Sequence, residues 1–446
     1  MLKSNQKSNS PYKISLSKKI IYLDNASATP IDPFVLNAMH KVLKSNFANP
    51  GSIHDFGVKA KNILEEKREE VAKILDAHSD EIIFTSGATE SNNLAILGTV
   101  ARQNLTREGT MLPHIVTTNI EHPSVLETCK YLEKTGQAEV TYVGVEASGI
   151  VDPKKIKAAL KENTVLVSVM YANNEIGTIQ PIREITKEIR HYKKVKAGSF
   201  SNGLAGGGDP VKRGPEKNLL ASLSFPLFHT DATQAINYLP IRVESLGIDL
   251  MSFNSGKIYG PKGVGVLYIK RKTPIGKIIH GGGQELGLRP GTENLGLIEG
   301  LVESLKITQK IKEKESERLV KLRDFFITEI LKLKQQSQSF TINGDLKNRL
   351  PNNINISISK IPSDLFVLEL SSRGIYISEK SACKSGEKAG SYVIQAIHGV
   401  KGKNLCSRNK VGSLRFSLGR QTTKSDILYV IKSLNSILTK LEKWYN

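Results

Sequence analysis

SFNSGKIYGPKGVG, residues 252–265, joins two short apolar runs that are rich in strand-forming residues. These runs, residues 249–253 and 264–269, predict a strand, a tight glycine loop and a second strand. Lys257 lies in the loop, where flanking apolar strands would desolvate its amine and lower its pKa. A neutral amine can condense with a carbonyl. An ordinary surface lysine fits this stretch at least as well, because the chain has 63 Lys and Arg residues, so the other motifs must decide.

The length and composition indicate a globular protein of two domains. A chain of 446 residues can bury a large core, and 39% hydrophobic with 24% charged residues is the usual balance for such proteins. We find no apolar run of bilayer length and no apolar segment resembling a signal peptide, so we expect no membrane partner. Residues 1–19 are rich in Lys, Ser and Asn and lack acids, which predicts a disordered basic tail. A targeting segment is the alternative.

The net charge and the cysteine pattern limit the partners and the compartment that we expect. The net charge is +20, but the lysines are spread along the chain and are not interleaved with stacking aromatics. We therefore expect a solvated basic surface and no specific nucleic-acid partner. Cys129, Cys383 and Cys406 form no CxxC and no metal-ligand spacing. This pattern predicts no metal site, a reducing compartment, which we take to be the cytoplasm, and room for a reactive thiol.

Strands and helices alternate over the first two thirds of the chain, which predicts an α/β fold with a large, mostly parallel sheet. Residues 194–224 are glycine-rich and basic, and we interpret them as a flexible insertion. Their GLAGGG has no clear strand before it, so a phosphate loop is disfavoured. A helix over residues 293–334 leads into shorter strands and amphipathic helices. We predict a tail at 1–19, a large α/β domain at 20–310 and a small α+β domain at 311–446.

Polar residues follow several predicted strands. The turn after residues 81–85 opens a helix near Thr89, where free backbone amides suit a phosphate or an ordinary helix cap. Asn174 follows a buried strand, at the carboxyl end where open α/β sheets bind ligands. Asp231 also ends a strand, and a buried carboxylate there needs a partner or caps the next helix.

Together these motifs resemble those of the cysteine desulfurases, pyridoxal-phosphate enzymes of the class V aminotransferase family. The matching motifs are LDNASATP, FTSGATES, the Glu121-His122 pair, NNEIG, HTDATQ, SGKIYGPKGVG, GGGQELGLRPGTEN, SAC and SLRFSLGR. They occur in family order over about residues 20–445, and the loop around SAC resembles the longer-loop group. The resemblance implies the aspartate-aminotransferase-like fold, fold type I, with pyridoxal 5'-phosphate as cofactor.

The resemblance also implies a role for each residue around the cofactor ring. Lys257 would bond to the cofactor's aldehyde carbon and later carry the substrate's α-proton. Asp231 would keep the pyridine nitrogen protonated, and His122 would stack on the ring. Asn174 and Gln234 would hydrogen-bond the ring oxygen.

Further positions would bind the phosphate and the substrate. Ala88 and Thr89 would hold the phosphate at a helix N-terminus. Thr292 would reach it from a neighbouring subunit, which implies a homodimer. Arg415 would clamp the substrate carboxylate bidentately, and Asn174 would assist.

Cys383 would be the nucleophile. As a thiolate it would attack the sulfur of the bound L-cysteine, giving an enzyme persulfide and L-alanine. Its polar neighbours suit a thiol that passes sulfur to an acceptor, either an iron–sulfur scaffold protein or a tRNA-thiolation relay. Cys129 fits a buried structural residue, and Cys406 has no assigned role.

Two departures from the family pattern bear on cofactor binding. The family has a histidine directly before the lysine and a serine two positions further back. This chain has Asn254-Ser255-Gly256-Lys257, so Ser255 would substitute as a cofactor-binding residue with a shift, and we expect weaker cofactor affinity. The second departure is the insertion at 194–224.

Two other functions stay open from the sequence. One is a class V aminotransferase or lyase acting on another amino acid, from which Cys383 distinguishes the desulfurase because transamination needs no thiol. The other is a catalytically weakened scaffold that binds partners through its basic surface. A scaffold would form no persulfide.

Overall fold

The computed structural model describes residues 19–106, 111–205, 225–337, 340–358, 361–379, 381–382, 389–398 and 412–445. Its strands are β1 Ile21–Tyr22, β2 Ile82–Thr85, β3 His114–Thr118, β4 Glu139–Val143, β5 Thr164–Ser168, β6 Leu227–Asp231, β7 Leu250–Asn254, β8 Gly265–Ile269, β9 Phe340–Ile342, β10 Asn353–Ile358, β11 Ile375–Tyr376, β12 Ser378–Glu379, β13 Ser381–Ala382, β14 Ala389–Gly390 and β15 Gly412–Ser417. Its α-helices are α1 Pro33–Ser45, α2 Asp55–Leu75, α3 Ala88–Thr106, α4 Pro123–Lys134, α5 Pro153–Ala158, α6 Ile182–Ala205, α7 Val243–Leu246, α8 Leu295–Ser337, α9 Ser363–Ser372, α10 Tyr392–Ile397 and α11 Lys424–Tyr445.

A seven-stranded sheet in the order β2-β8-β7-β6-β5-β3-β4 forms the larger part of the fold. Strand β8 runs antiparallel to both of its neighbours, and the other six strands run in one direction. The carboxyl ends of β2, β3, β5, β6 and β7 therefore meet at one edge of the sheet, which is where open α/β sheets bind ligands.

Both faces of this sheet are covered, because successive strand residues point to opposite sides. Ile83, Ile115 and Leu166 pack in one cluster with Leu94 of α3 and Val125 of α4. The residues that follow them in sequence, Phe84, Val116 and Val167, pack in the opposite cluster with residues of α2, α6 and α8. Burial on both faces explains why these strands are apolar without alternation, and it confirms the predicted α/β fold.

A second sheet, β12-β15-β10-β9, is antiparallel throughout. It packs with α9, α11 and the later part of α8 around a separate apolar cluster. Helix α8 spans 43 residues and contributes to both clusters, so it links the two units. Ile21 and Leu23 pack with the smaller sheet, and β1 pairs with β11, so this first strand lies with the second unit. The division near residue 310 stays our proposal.

Helix α6 is longer than the sequence predicts. The flexible insertion predicted at 194–224 includes Gly198 and Gly203, and a glycine costs about 1 kcal/mol relative to alanine inside a helix. The helix continues through both glycines to Ala205. The rest of the predicted insertion, residues 206–224, and the predicted tail up to residue 18 lie outside the described residues. None of the helices that the structure describes is long and apolar enough to cross a membrane.

Candidate active site

A cavity of about 300 Å³ opens at the carboxyl edge of the large sheet. Its lining includes eight of the predicted site residues: Ala88, Thr89, His122, Asn174, Asp231, Gln234, Lys257 and Arg415. They come from loops far apart in sequence, and the parallel strands bring them to one place.

The loop of Lys257 has the predicted form, a strand, a tight turn and a strand. Residues Ser255–Lys257 form a single 3₁₀ turn after β7, and the Lys257 ammonium donates to the backbone carbonyl of Ser27. The glycine of β8 is required by a close approach, since a Cβ at Gly265 would lie 2.7 Å from the backbone of Gly87. This contact joins the lysine loop to the loop that follows β2.

Asp231, the last residue of β6, is buried and lines the cavity. One carboxylate oxygen accepts the backbone N–H of Thr233 at 2.9 Å, and the other accepts the side-chain amide of Asn92 at 2.8 Å. The residue therefore caps the turn that follows β6, where a helix was expected, and the Asn92 amide is the partner that a buried carboxylate needs.

His122 begins α4 as its N-cap. Its Nδ1 accepts the backbone N–H of Ser124 at 3.1 Å and lies 2.8 Å from the Ser124 hydroxyl. Behind it, the fully buried Glu121 carboxyl accepts the Thr118 hydroxyl at 2.6 Å and the Met170 N–H at 2.9 Å. Burial, with Asp231 nearby, raises the pKa of Glu121 to about 8.

The loop after β2 supplies an anion-binding geometry. Helix α3 begins at Ala88, and the first amides of a helix have no acceptor within it. The preceding Gly87 has a φ of 152°, which favours glycine. Glu90 holds this turn in place, because its carboxylate accepts the Ser86 N–H at 2.7 Å and the Arg289 Nε–H at 2.9 Å.

Arg415 reaches the cavity from β15 of the smaller sheet. Its guanidinium is buried and donates to the backbone carbonyl of Asn174 at 2.8 Å through Nη1. Through Nη2 it donates to Asp24 at 2.8 Å and to the Ser27 hydroxyl at 2.5 Å. Nε has no hydrogen-bond partner among the described residues. The bidentate clamp expected from the sequence therefore faces competition, because Asp24 and Ser27 already use Nη2.

Four buried polar atoms at the cavity have no hydrogen-bond partner in the part of the chain that the structure describes. They are Asn174 Oδ1, Thr233 Oγ1, Asn254 Oδ1 and Arg415 Nε. Leaving such a group unpaired costs about 1–3 kcal/mol, and native proteins pair nearly all of them. Residues that line the cavity therefore carry unpaired polar groups, which a polar ligand could satisfy.

The structure does not bring every predicted residue to the cavity. Ser255 is buried inside its own turn and donates to the backbone carbonyl of Pro261, so the structure does not bring it to the cavity, and its cofactor-binding role stays a prediction. Asn254, one residue earlier, lines the cavity instead. Thr292 is exposed and absent from the lining, and its predicted role requires a second subunit.

The cysteines divide between described and undescribed parts of the chain. Cys383 and Cys406 lie outside the described residues. Cys129 is buried, and that burial raises its pKa to about 12, which agrees with a structural role. No group of three or more His, Cys, Asp or Glu side chains within the described ranges could hold a metal ion.

Sequence reasoning missed several residues at the cavity. Asn254, Thr233 and Ser124 line it, and Asn92 supports it through hydrogen bonds to Asp231 and Ser124. Each of them stands inside or within two residues of a quoted motif or pair, so the motifs pointed to the right segments. Which member of a motif faces the cavity depends on the turn that follows each strand.

Comparison with known proteins identifies the family. The aminotransferase class-V family model matches residues 21–197 and 222–430. The unmatched residues between these two segments fall within the predicted insertion.

The chain is similar to named relatives over nearly its full length. It is 42% identical to cysteine desulfurase IscS of Dictyoglomus turgidum, over 95% of this chain and 96% of that protein. It is 37% identical to cysteine desulfurase IscS 1 of Archaeoglobus fulgidus, over 94% and 97% of the two chains. Among solved structures, a NifS-like protein covers 94% of this chain and all of its own, with a TM-score of 0.79 and 32% identity. A NifS-like protein from Rickettsia africae has a TM-score of 0.74 and 25% identity, again over 94% of this chain and all of its own.

Proposed function

Because the chain belongs to the class-V aminotransferase family and is a cysteine desulfurase, we propose that the cavity described above binds pyridoxal 5'-phosphate and L-cysteine. The observation that carries this proposal is the convergence of unpartnered polar atoms, two from Asn174 and Arg415 and two from Thr233 and Asn254, around the charge of Asp231.

The donor set fits a cofactor with a protonated ring nitrogen at one end and a phosphate at the other. Asp231 would hold the ring nitrogen, and the first turn of α3, with Ala88 and Thr89, would hold the phosphate. Asn254 stands where the family places a serine, and we assign it to the phosphate in place of Ser255. Bound there, the cofactor supplies an electron sink for the substrate carbon.

Further side chains would orient the cofactor ring and the substrate. His122 would lie on the ring, and Gln234 and Asn174 would contact the ring oxygen. The substrate carboxylate would bond to Arg415, beginning at Nε, because the Nη2 hydrogens face Asp24 and Ser27.

Two residues would carry the chemistry. Lys257 would remove the substrate's α-proton and return a proton to the product, with the Ser27 carbonyl near its amine. The thiolate of Cys383 would form an S–S bond to the substrate sulfur as the C–S bond breaks. The carbon skeleton would then gain a proton and leave as L-alanine. The persulfide on Cys383 would pass its outer sulfur to an acceptor, an iron–sulfur scaffold protein or a tRNA-thiolation relay.

An exposed apolar patch supports the homodimer. Phe34, Phe47, Ile53 and Phe56 of α1, α2 and their connection are each at least 61% exposed, and the rings of Phe47 and Phe56 stack 6.0 Å apart. Several large apolar side chains exposed on neighbouring elements, two of them in ring contact, favour an interface. A second copy placed there is our proposal, and through it Thr292 would reach the phosphate of the neighbouring subunit.

Single-turnover mixing of the cofactor-loaded protein with L-cysteine tests the function. We expect L-alanine and a stoichiometric persulfide on Cys383 by mass spectrometry, and both should disappear in Cys383→Ala while cofactor binding persists. Bound cofactor with alanine but no persulfide on Cys383 would contradict the sulfur-transfer step. Failure to bind the cofactor would favour the scaffold.

A further inference from the structure

Two buried side chains outside the assigned machinery connect Asp231 to His122. The amide nitrogen of Asn92 lies 2.8 Å from Asp231 Oδ2 and 2.8 Å from the Ser124 hydroxyl, and that hydroxyl lies 2.8 Å from His122 Nδ1. We propose that Asn92 and Ser124 are positioning residues that keep His122 as a neutral imidazole with its proton on Nε2. The inference rests on the proposed function, in which these two cavity residues act on one cofactor.

The hydrogen atoms in this series of hydrogen bonds can be assigned by starting from Asp231 at one end and His122 at the other. A carboxylate oxygen only accepts, so the group of Asn92 that faces Asp231 must be the amide NH₂. The same nitrogen is within hydrogen-bond distance of the Ser124 hydroxyl oxygen. Its two hydrogens therefore go to Asp231 and to Ser124, and the Ser124 oxygen is an acceptor for Asn92.

At the other end of the series, the backbone N–H of Ser124 determines the tautomer of the His122 ring. The backbone N–H of Ser124 can only donate, and it points to His122 Nδ1 at 3.1 Å. Nδ1 must therefore carry a lone pair. Since the Ser124 hydroxyl oxygen already accepts from Asn92, its own hydrogen is available for the same lone pair. A neutral imidazole with Nδ1 as acceptor carries its proton on Nε2.

Burial shields these hydrogen bonds from solvent. Asn92 is fully buried, and Ser124 and Asp231 are 8% and 6% exposed. Water therefore cannot readily replace a lost partner, and each missing hydrogen bond would leave a buried group unsatisfied. The carbonyl oxygen of Asn92 has no partner among the described residues, so the bonds that hold this amide are those of its two hydrogens.

The tautomer has a consequence for the reaction. With Nδ1 occupied by two donors from Ser124, the imidazole offers a hydrogen at Nε2 and no accessible lone pair. His122 therefore enters the reaction able to donate a hydrogen bond or a proton, and it is not placed to remove one. This leaves proton removal to Lys257.

The tautomer can be observed directly by ¹⁵N NMR of cofactor-loaded protein labelled in its histidine rings, with His122→Gln used to assign the signals. We expect an unprotonated Nδ1 and a protonated Nε2 for His122. A proton on Nδ1, or an even mixture of tautomers, would overturn the inference. This readout needs no turnover, so it stands apart from the sulfur-transfer experiment. If the cofactor-loaded protein forms no persulfide while the ring signal is as expected, the proposed sulfur transfer is wrong and the tautomer assignment stands.

Variants separate positioning from general stability. Ser124→Ala removes the hydroxyl but keeps the backbone N–H, and we expect the ratio of Nδ1–H to Nε2–H tautomer to rise about fivefold, the weight of one neutral hydrogen bond. Ser124→Thr keeps the hydroxyl and should restore the wild-type signal. Asn93→Ala is the matched control, because the Asn93 amide donates to the backbone carbonyls of Thr89 and Ser124 and to neither Asp231 nor the ring. A ring signal in Ser124→Ala identical to that of wild type would contradict the role of Ser124.

Discussion

Replacing Asn254 with alanine should weaken cofactor binding without unfolding the protein. The buried Asn254 Oδ1 has no partner among the described residues, and turning the amide around places a donor at the same point of the cavity. A hydrogen bond to a charged group contributes about 1.5–3 kcal/mol. Its loss corresponds to an increase of about 10- to 150-fold in the dissociation constant of pyridoxal phosphate.

The assay is an equilibrium titration of cofactor-free protein with pyridoxal phosphate, followed by the visible absorbance of the bound cofactor. Ser255→Ala is the matched control, since its hydroxyl bonds to the Pro261 carbonyl inside the turn. The control should keep the wild-type dissociation constant within about twofold while its free energy of unfolding falls by about 1 kcal/mol. If Asn254→Ala binds as tightly as wild type, or if Ser255→Ala is the weaker binder, our assignment of Asn254 is refuted. Asn254→Ser, which restores the residue typical of the family, should bind at least as tightly as wild type.

Three further predictions concern buried ionisable groups, and they are checked by measurements of unfolding free energy or by thiol labelling. Because burial raises the pKa of Glu121 from 4.5 to about 8, the unfolded chain loses a proton between these pH values that the folded chain retains. The free energy of unfolding should therefore fall as pH rises through this window. In Glu121→Gln, the difference between the urea-unfolding free energies at about pH 5 and about pH 8 should be smaller than in wild type. An unchanged difference would contradict the raised pKa of Glu121. Glu285 accepts two hydrogen bonds of 2.7 Å from the buried Arg68, so Glu285→Gln should lower the free energy of unfolding by about 3–5 kcal/mol. Glu65 is an exposed partner of the same arginine, and Glu65→Gln should lower it by less than about 1 kcal/mol. Burial raises the pKa of Cys129 to about 12, so iodoacetamide should label it only after denaturation, as judged by peptide mass spectrometry, and labelling of the folded protein would contradict its burial.

The hydrogen bonds through Asn92 show how a buried residue can connect two residues of a ligand cavity. His122 is the N-cap of the helix that follows β3, and Asp231 is the last residue of β6. A helix residue, Asn92, and the second residue of another helix, Ser124, connect them. A substitution of Asn92, which is fully buried and outside the cavity lining, can therefore act on the protonation state of His122 without touching the ligand.

The sequence determined the fold class because its signals are local. The apolar runs at 249–253 and 264–269 predict two strands, and β7 Leu250–Asn254 and β8 Gly265–Ile269 lie within one residue of them. The length of α6 could not be predicted in this way, because two glycines weaken a helix without deciding whether it ends. Tertiary context overrides a local cost of that size.

The sequence alone also determined the family and eight of the residues that line the cavity, since motifs of fixed order carry the residue types that the chemistry needs. Only the tertiary structure decided which member of a motif faces inward. The 3₁₀ turn after β7 sends Ser255 into its own loop and leaves Asn254 at the cavity. Only the structure placed Asp24 on Arg415, across almost the whole chain. These relations depend on strand order and turn geometry, which no local pattern of residues encodes, because they arise when parallel strands bring distant loops to one edge.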